Sequence, residues 1–333
     1  MFRPGVTIAL FAAFAACAPA HADETDQFIA WDVELEDSAG PINEFLNAEL
    51  RDYLAYRNGA IEPPCECEPL AIGYFDYIFK GRLTARFKEF IRNNEDIDVY
   101  PPRSVSNIEY NRMSIYSGLT FPYVLPMSPT LRVGDIYMGD DKLGHFFGFG
   151  KRYYKKFLKY RQYEPTEEAA IERVIRWGVM SENTIVGIGV DGIFSHADLE
   201  ANYQGFRFAR NFCEGDSPYL AHGESGWYAT RDVDIRDYVN PYFDESYNPS
   251  HFWGRRRALV LPRIRDLYAH QTDHPLVIER FERYADYAPS RSVRLVQEFF
   301  LDRGRTPQRD QVFAALDLPP DYPLAVLASM PVP

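Results

Sequence analysis

Helical periodicity dominates the chain. Between Pro41 and Arg57 the apolar residues Ile42, Phe45, Leu46, Leu50, Tyr53 and Leu54 recur every three or four positions, which predicts an amphipathic helix. Residues 61–69 are a proline-rich break holding two cysteines. Leu70 to Asn94 is again one-sided, with Phe75, Ile78, Phe79, Leu83, Phe87, Phe90 and Ile91 on its apolar face. From Pro101 to Asp140 prolines and glycines recur, and Ser114–Thr120 and Arg132–Met138 read as extended segments. Three closely spaced helices are then expected: Asp141–Arg161, a second from just after Pro165 to about Gly187, and Ser195–Phe212. An aromatic stretch without helical period covers 227–253. Helices resume at 256–270, 275–285, 292–303 and 307–316, ahead of a proline-rich tail at 319–333. The expected fold is mainly α: one large helical domain over 23–318, with a central glycine-rich helix cluster and short irregular or β segments.

The two ends change where this domain is expected to work. Residues 1–22 combine Arg3, an apolar run from Val6 to Ala16 and the small-x-small step Ala20-His21-Ala22. That is the layout of a cleaved secretory leader, so a periplasmic protein is expected. Phe14-Ala15-Ala16-Cys17 also approaches a bacterial lipobox, with Phe14 where leucine is usual, so anchoring through a lipid on Cys17 is the alternative. No later run reaches the ~20 apolar residues of a membrane-spanning helix. The formal net charge of -12 argues against non-specific binding to nucleic acid or anionic lipid. Without Cys17, Cys65, Cys67 and Cys213 remain, an odd number in an oxidising compartment. Cysteines separated by one residue pair poorly with each other, so a bridge from Cys65 or Cys67 to Cys213 is expected. A zinc site at Cys65-Glu66-Cys67 fits less well, because the usual spacing is wider.

Candidate chemistry concentrates in 135–212. In GDDKLGHFFGFG, residues 139–150, Asp141 and His145 stand four apart and share a helix face with Phe149. Gly144, Gly148 and Gly150 thin that helix at a cost in stability, which close approach of another helix or a ligand would offset. Asp141 at a helix start also suits simple capping, and His145 a satisfied core histidine. Glu182 lies among Trp177, Val179, Met180, Ile185 and Val186, where desolvation would favour a general acid; the alternative is that it points to solvent or pairs with Lys142 or an arginine. Ser195 and Asp198 fit an S-x-x-D capping box, and Asp198 shares a face with Asn202. In 237–253, two Asn-Pro steps frame Asp244 and Glu245. Tyr242, Phe243, Tyr247, Phe252 and Trp253 either stack on sugars, with Asp244, Glu245 and Asn248 bonding hydroxyls, or pin the loop to the helices.

The order D-K-x-x-H-F, a buried glutamate, then S-x-x-D-L-x-A-N-x-x-G resembles the VanZ-like superfamily and its YfiM-like envelope lipoproteins. The matching residues are Asp141, Lys142, His145, Phe146, Glu182, Ser195, Asp198, Leu199, Ala201, Asn202 and Gly205. The resemblance covers about 135–212 and implies a cell-envelope protein. Members are usually membrane-embedded, whereas here Lys151, Arg152, Lys155, Lys156 and Lys159 line the same helix. Glu182, Gly187, Gly189, Asn202 and Gly205 more faintly resemble a lysozyme-type transglycosylase, with Glu182-Asn183 in place of Glu-Ser and the Gly-x-x-Gln element missing.

Three functions follow as expectations. The first is an acid–base hydrolase or lyase acting on an envelope glycan or phosphorylated lipid. Glu182, His145 and Asp141 would be catalytic, and Lys142, Asp198, Asn202, Asp244 and Asn248 would bind substrate. A variant places a divalent metal on Asp141, His145, Glu182 and Asp198. The second is a non-catalytic envelope scaffold or lipoprotein whose polar residues fix helix register. The third is the transglycosylase.

Overall fold

The structure is a computed structural model and describes residues 23–61, 64–79, 86–118, 126–188, 192–301 and 308–318. The predicted leader, Cys17 and the tail from 319 lie outside the described residues. Among these, eleven α-helices and six short strands confirm a mainly α fold. In chain order the helices are α1 (Ala39–Asn58), α2 (Cys67–Phe79), α3 (Arg86–Asn93), α4 (Asn107–Met113), α5 (Asp140–Tyr160), α6 (Glu167–Ser181), α7 (His196–Asn211), α8 (Gly254–Tyr268), α9 (Pro275–Ala285), α10 (Arg291–Leu301) and α11 (Gln308–Leu316). The strands form three antiparallel pairs: β1 (Thr130–Val133) with β2 (Ile136–Gly139), β3 (Ile193–Phe194) with β6 (His251–Phe252), and β4 (Leu220–Gly223) with β5 (Gly226–Ala229).

Two expectations are corrected. Ser114 to Gly118 forms a turn rather than extended chain, and the helix α4 precedes it. Its signal was legible: Ser106 accepts from the Glu109 backbone and Glu109 reaches back to Ser106, a complete capping box in S-x-x-E. The expected helix running on to Gly187 leaves the α register at Ser181 and continues as a π-turn over Glu182–Val186, which is a common site of functional or strained geometry.

The central helices α5 and α7 pack closely because two glycines meet. A Cβ on Gly150 would lie 2.6 Å from the Gly205 carbonyl carbon, and one on Gly205 would lie 1.9 Å from the Phe146 carbonyl oxygen. Gly144 and Gly148 meet Phe79 or Lys88 at ordinary contact distance, so the close approach is made by Gly150. Gly205→Ala must push two backbones apart. It is expected to cost about 2–3 kcal/mol, read as a lowered urea midpoint. Around this crossing Phe75, Phe146, Phe147, Phe208, Phe212, Tyr219 and Tyr238 interlock edge to face, filling the core with ring area. The Cys67–Cys213 disulfide ties the start of α2 to the chain just after α7.

The aromatic stretch is the pinned loop. Tyr242, Phe243, Tyr247 and Phe252 are buried, and only Trp253 among the ring-bearing residues named for sugar stacking is exposed.

Candidate functional site: a buried ion cluster centred on Lys142

Lys142 is the centre. Its side chain is 0% exposed, and its Nζ lies 2.6 Å from Asp141 Oδ2, 2.6 Å from Asp198 Oδ1 and 2.7 Å from Glu245 Oε1. Burial opposes the ammonium charge, but these three carboxylates outweigh it and hold Lys142 well above the ordinary lysine value. Asp141 and Lys142 arrive together in the first turn of α5, and Asp198 in the first turn of α7. The other Asp198 oxygen receives His145 Nε2 at 3.1 Å, while His145 Nδ1 faces Asn202 Oδ1 at 3.2 Å. Helical spacing explains both pairings, since 141 and 145, and 198 and 202, each stand one turn apart.

Three further segments close the cluster. Thr25 donates its hydroxyl to Asp141 Oδ1 at 2.7 Å. Gly139 leaves room for this bond, because a Cβ there would lie 2.1 Å from both oxygens. Gln27 accepts the Glu245 backbone N–H through its side-chain oxygen. Ser195 does two things at once: its hydroxyl caps α7 by accepting from Asp198 N–H, and it donates to Glu245 Oε1 at 2.9 Å. Its own N–H is received by Glu182 Oε1 at 3.1 Å. Glu182 thus joins the cluster through Ser195 and Glu245, from the first position of the π-turn. Every member is at most 6% exposed. A groove of about 420 Å³ between α1 and α3, lined by Phe45, Glu49, Arg86, Glu89, Phe90 and Asn94 among others, includes none of them.

The sequence-predicted residues therefore sort into groups. Asp141, Lys142, His145, Asp198 and Asn202 converge, with Glu182 linked at one side. Asp244 and Asn248 stand outside the cluster: Asp244 accepts from Ser246 and from the Tyr284 hydroxyl of α9, and Asn248 donates to the Tyr242 carbonyl. The metal ligand set is altered. The carboxylates whose oxygens lie within 4.8 Å of one another are Asp141, Asp198 and Glu245. A divalent ion at that point does not fit these residues, because the Lys142 ammonium already makes bonding distance to all three. Sequence reasoning gave Glu245 a hydroxyl-bonding role on the aromatic loop, not a place in this cluster, and missed Thr25 and Gln27, which follow the predicted leader where chain is usually loose.

Burial pushes Glu245 up from 4.5 to about 7, with Lys142 drawing it down and Asp141 and Asp198 adding to the rise. Burial likewise raises Asp26 and Asp140 from 3.8 to about 6. Asp198 moves the other way: burial would raise it, but His145 and Lys142 hold it below 3.8. The signs then follow. The three raised carboxyls hold protons more tightly folded than unfolded. Their contribution is complete below about pH 4 and lost as pH rises through about 6 to 7. Asp198 contributes above its unfolded value and loses that as pH falls. Unfolding free energy should peak near pH 4 and drop by roughly 5 kcal/mol or more by pH 8. Urea titrations across pH measure this, and Glu245→Gln should flatten the alkaline slope.

Comparison of the chain with protein-family models, with curated proteins and with solved structures gives no match.

Proposed function

We propose that this is an exported cell-envelope protein of non-catalytic, scaffold type, and that the Lys142 cluster is its register-fixing polar centre. The observation that carries this reading is the enclosure of Lys142: zero exposure, with three carboxylates at bonding distance. A catalytic group must reach substrate, and here the strong donors and acceptors are turned on one another. Buried ion networks add little net stability over an apolar core, but they are intolerant of wrong partners. This one ties the segment at 25–27, α5, α7 and the loop at 245 into one arrangement. The leader-like residues 1–22 and the VanZ-like order of the polar residues support the envelope assignment.

The second reading, an acid–base enzyme on an envelope glycan or phosphorylated lipid, is favoured by one observation. His145 lies at the rim of the cluster, is oriented by Asp198, and stacks at 5.3 Å on the half-buried Phe149 ring. An imidazole aligned by a carboxylate is a competent general base if the rim opens. The transglycosylase reading gains less, because Glu182 receives the Ser195 backbone N–H and is 4% exposed.

The deciding experiment incubates purified protein with peptidoglycan fragments and with a polyprenyl diphosphate, and follows products by mass spectrometry. No turnover is expected, and Glu182→Gln should still complement a deletion strain. Turnover that vanishes in both His145→Ala and Glu182→Gln would sink the scaffold reading in favour of the enzyme.

A further inference from the structure

Helix α5 carries an exposed cationic stripe just beyond the cluster. Arg152, Lys155, Lys156 and Lys159 recur at helical spacing on one face. Among the described residues, none of the four has a carboxylate within ion-pair distance, in a chain of net charge -12. Neighbouring cations are paired: Lys151 with Asp76, Arg173 with Glu164, and Arg176 with Glu172.

Aromatic and apolar side chains are interleaved with the stripe. Arg152 lies over the Phe149 ring at 4.6 Å, and Lys156 over Trp177 of α6 at 4.2 Å. Arg173 covers Tyr160 and Tyr163. These contacts join the outer faces of α5 and α6 into one surface. Met180, one turn beyond Trp177, is 64% exposed, and Tyr163 is 52% exposed. Cations with Trp, Tyr and an exposed thioether are the side chains that settle at the boundary between headgroups and acyl chains.

We infer that the α5–α6 face docks the protein onto an anionic lipid bilayer surface, with Arg152, Lys155 and Lys159 against the headgroups and Trp177 and Met180 entering the interface. The overall acidity read from composition remains, and it favours approach through a locally cationic face over an acidic one. A soluble polyanion would use the cations but gain nothing from Met180 or Trp177. The inference stands independently of whether the buried cluster is structural or catalytic.

The test is flotation of the purified protein with vesicles of phosphatidylethanolamine and phosphatidylglycerol, against phosphatidylcholine alone. Binding to the anionic vesicles is expected, weakening as salt is raised. The exposed-site triple variant Arg152→Glu, Lys155→Glu, Lys159→Glu, checked for folding by circular dichroism, should lose at least roughly a hundredfold in partitioning, taking about fivefold for each cation near such a surface. Tryptophan emission should shift to the blue on binding, and Trp177→Phe should remove that shift. No binding to anionic vesicles, or equal binding by the triple variant, overturns the inference. So does equal affinity for soluble polyphosphate with no shift from Trp177, which would make the face a polyanion site instead.

Discussion

Lys142→Met is expected to lower the unfolding free energy by about 3–5 kcal/mol at pH 7, the largest effect of any single side chain in the cluster. Methionine keeps most of the length and removes the charge, so packing changes little. What changes is that Asp141, Asp198 and Glu245 face one another without the cation that holds them together. The loss should shrink toward pH 5, because Glu245 takes up a proton more readily once Lys142 no longer draws it down. Adding Asp141→Asn and Glu245→Gln to Lys142→Met should recover much of the stability, since the repulsion disappears with the charges. Urea denaturation of the single and triple variants at both pH values provides the measurement. A Lys142→Met midpoint equal to wild type at pH 7 would mean that the carboxylates are not charged in the folded protein.

The second large effect concerns the disulfide. Cys67 and Cys213 are 146 residues apart in sequence. Closing so long a loop removes a great deal of freedom from the unfolded chain, on the order of 5 kcal/mol in the chain-entropy model. The bridge also holds α2 where Tyr74 and Phe75 pack on Phe212. Cys213→Ser should therefore melt far below wild type, and reducing agent should move wild type most of the way to the variant. If reduction left the wild-type melting temperature unchanged, the packing of α2 on α7 would have to carry that stability alone.

The helices were legible in the chain because their signals are local. Apolar spacing placed α1 and α9, Thr166 started α6, and Ser195 started α7. The hairpin of β1 and β2 was visible in the extended run at 132–138. Failures were also local in origin. The capping box at Ser106 is legible but was outweighed by the prolines around it, and the π-turn after Ser181 has the same composition as the helix it extends.

Within the site, residues one helical turn apart were readable as pairs. Asp141 with His145 and Asp198 with Asn202 need only the helix period to share a face. The cysteine arithmetic narrowed the bridge to Cys213 and one of two partners, and only packing selected Cys67. Tertiary structure alone decided who meets Lys142. Thr25 reaches Asp141 across 116 residues, Asp198 reaches Lys142 across 56, and Ser195 reaches Glu245 across 50. It also decided that two glycines on different helices touch. Periodicity records which side of an element is apolar, but a buried charge takes its partner from whichever remote segment packs beside it. That choice is a property of the assembled core, and no local pattern in the chain encodes it.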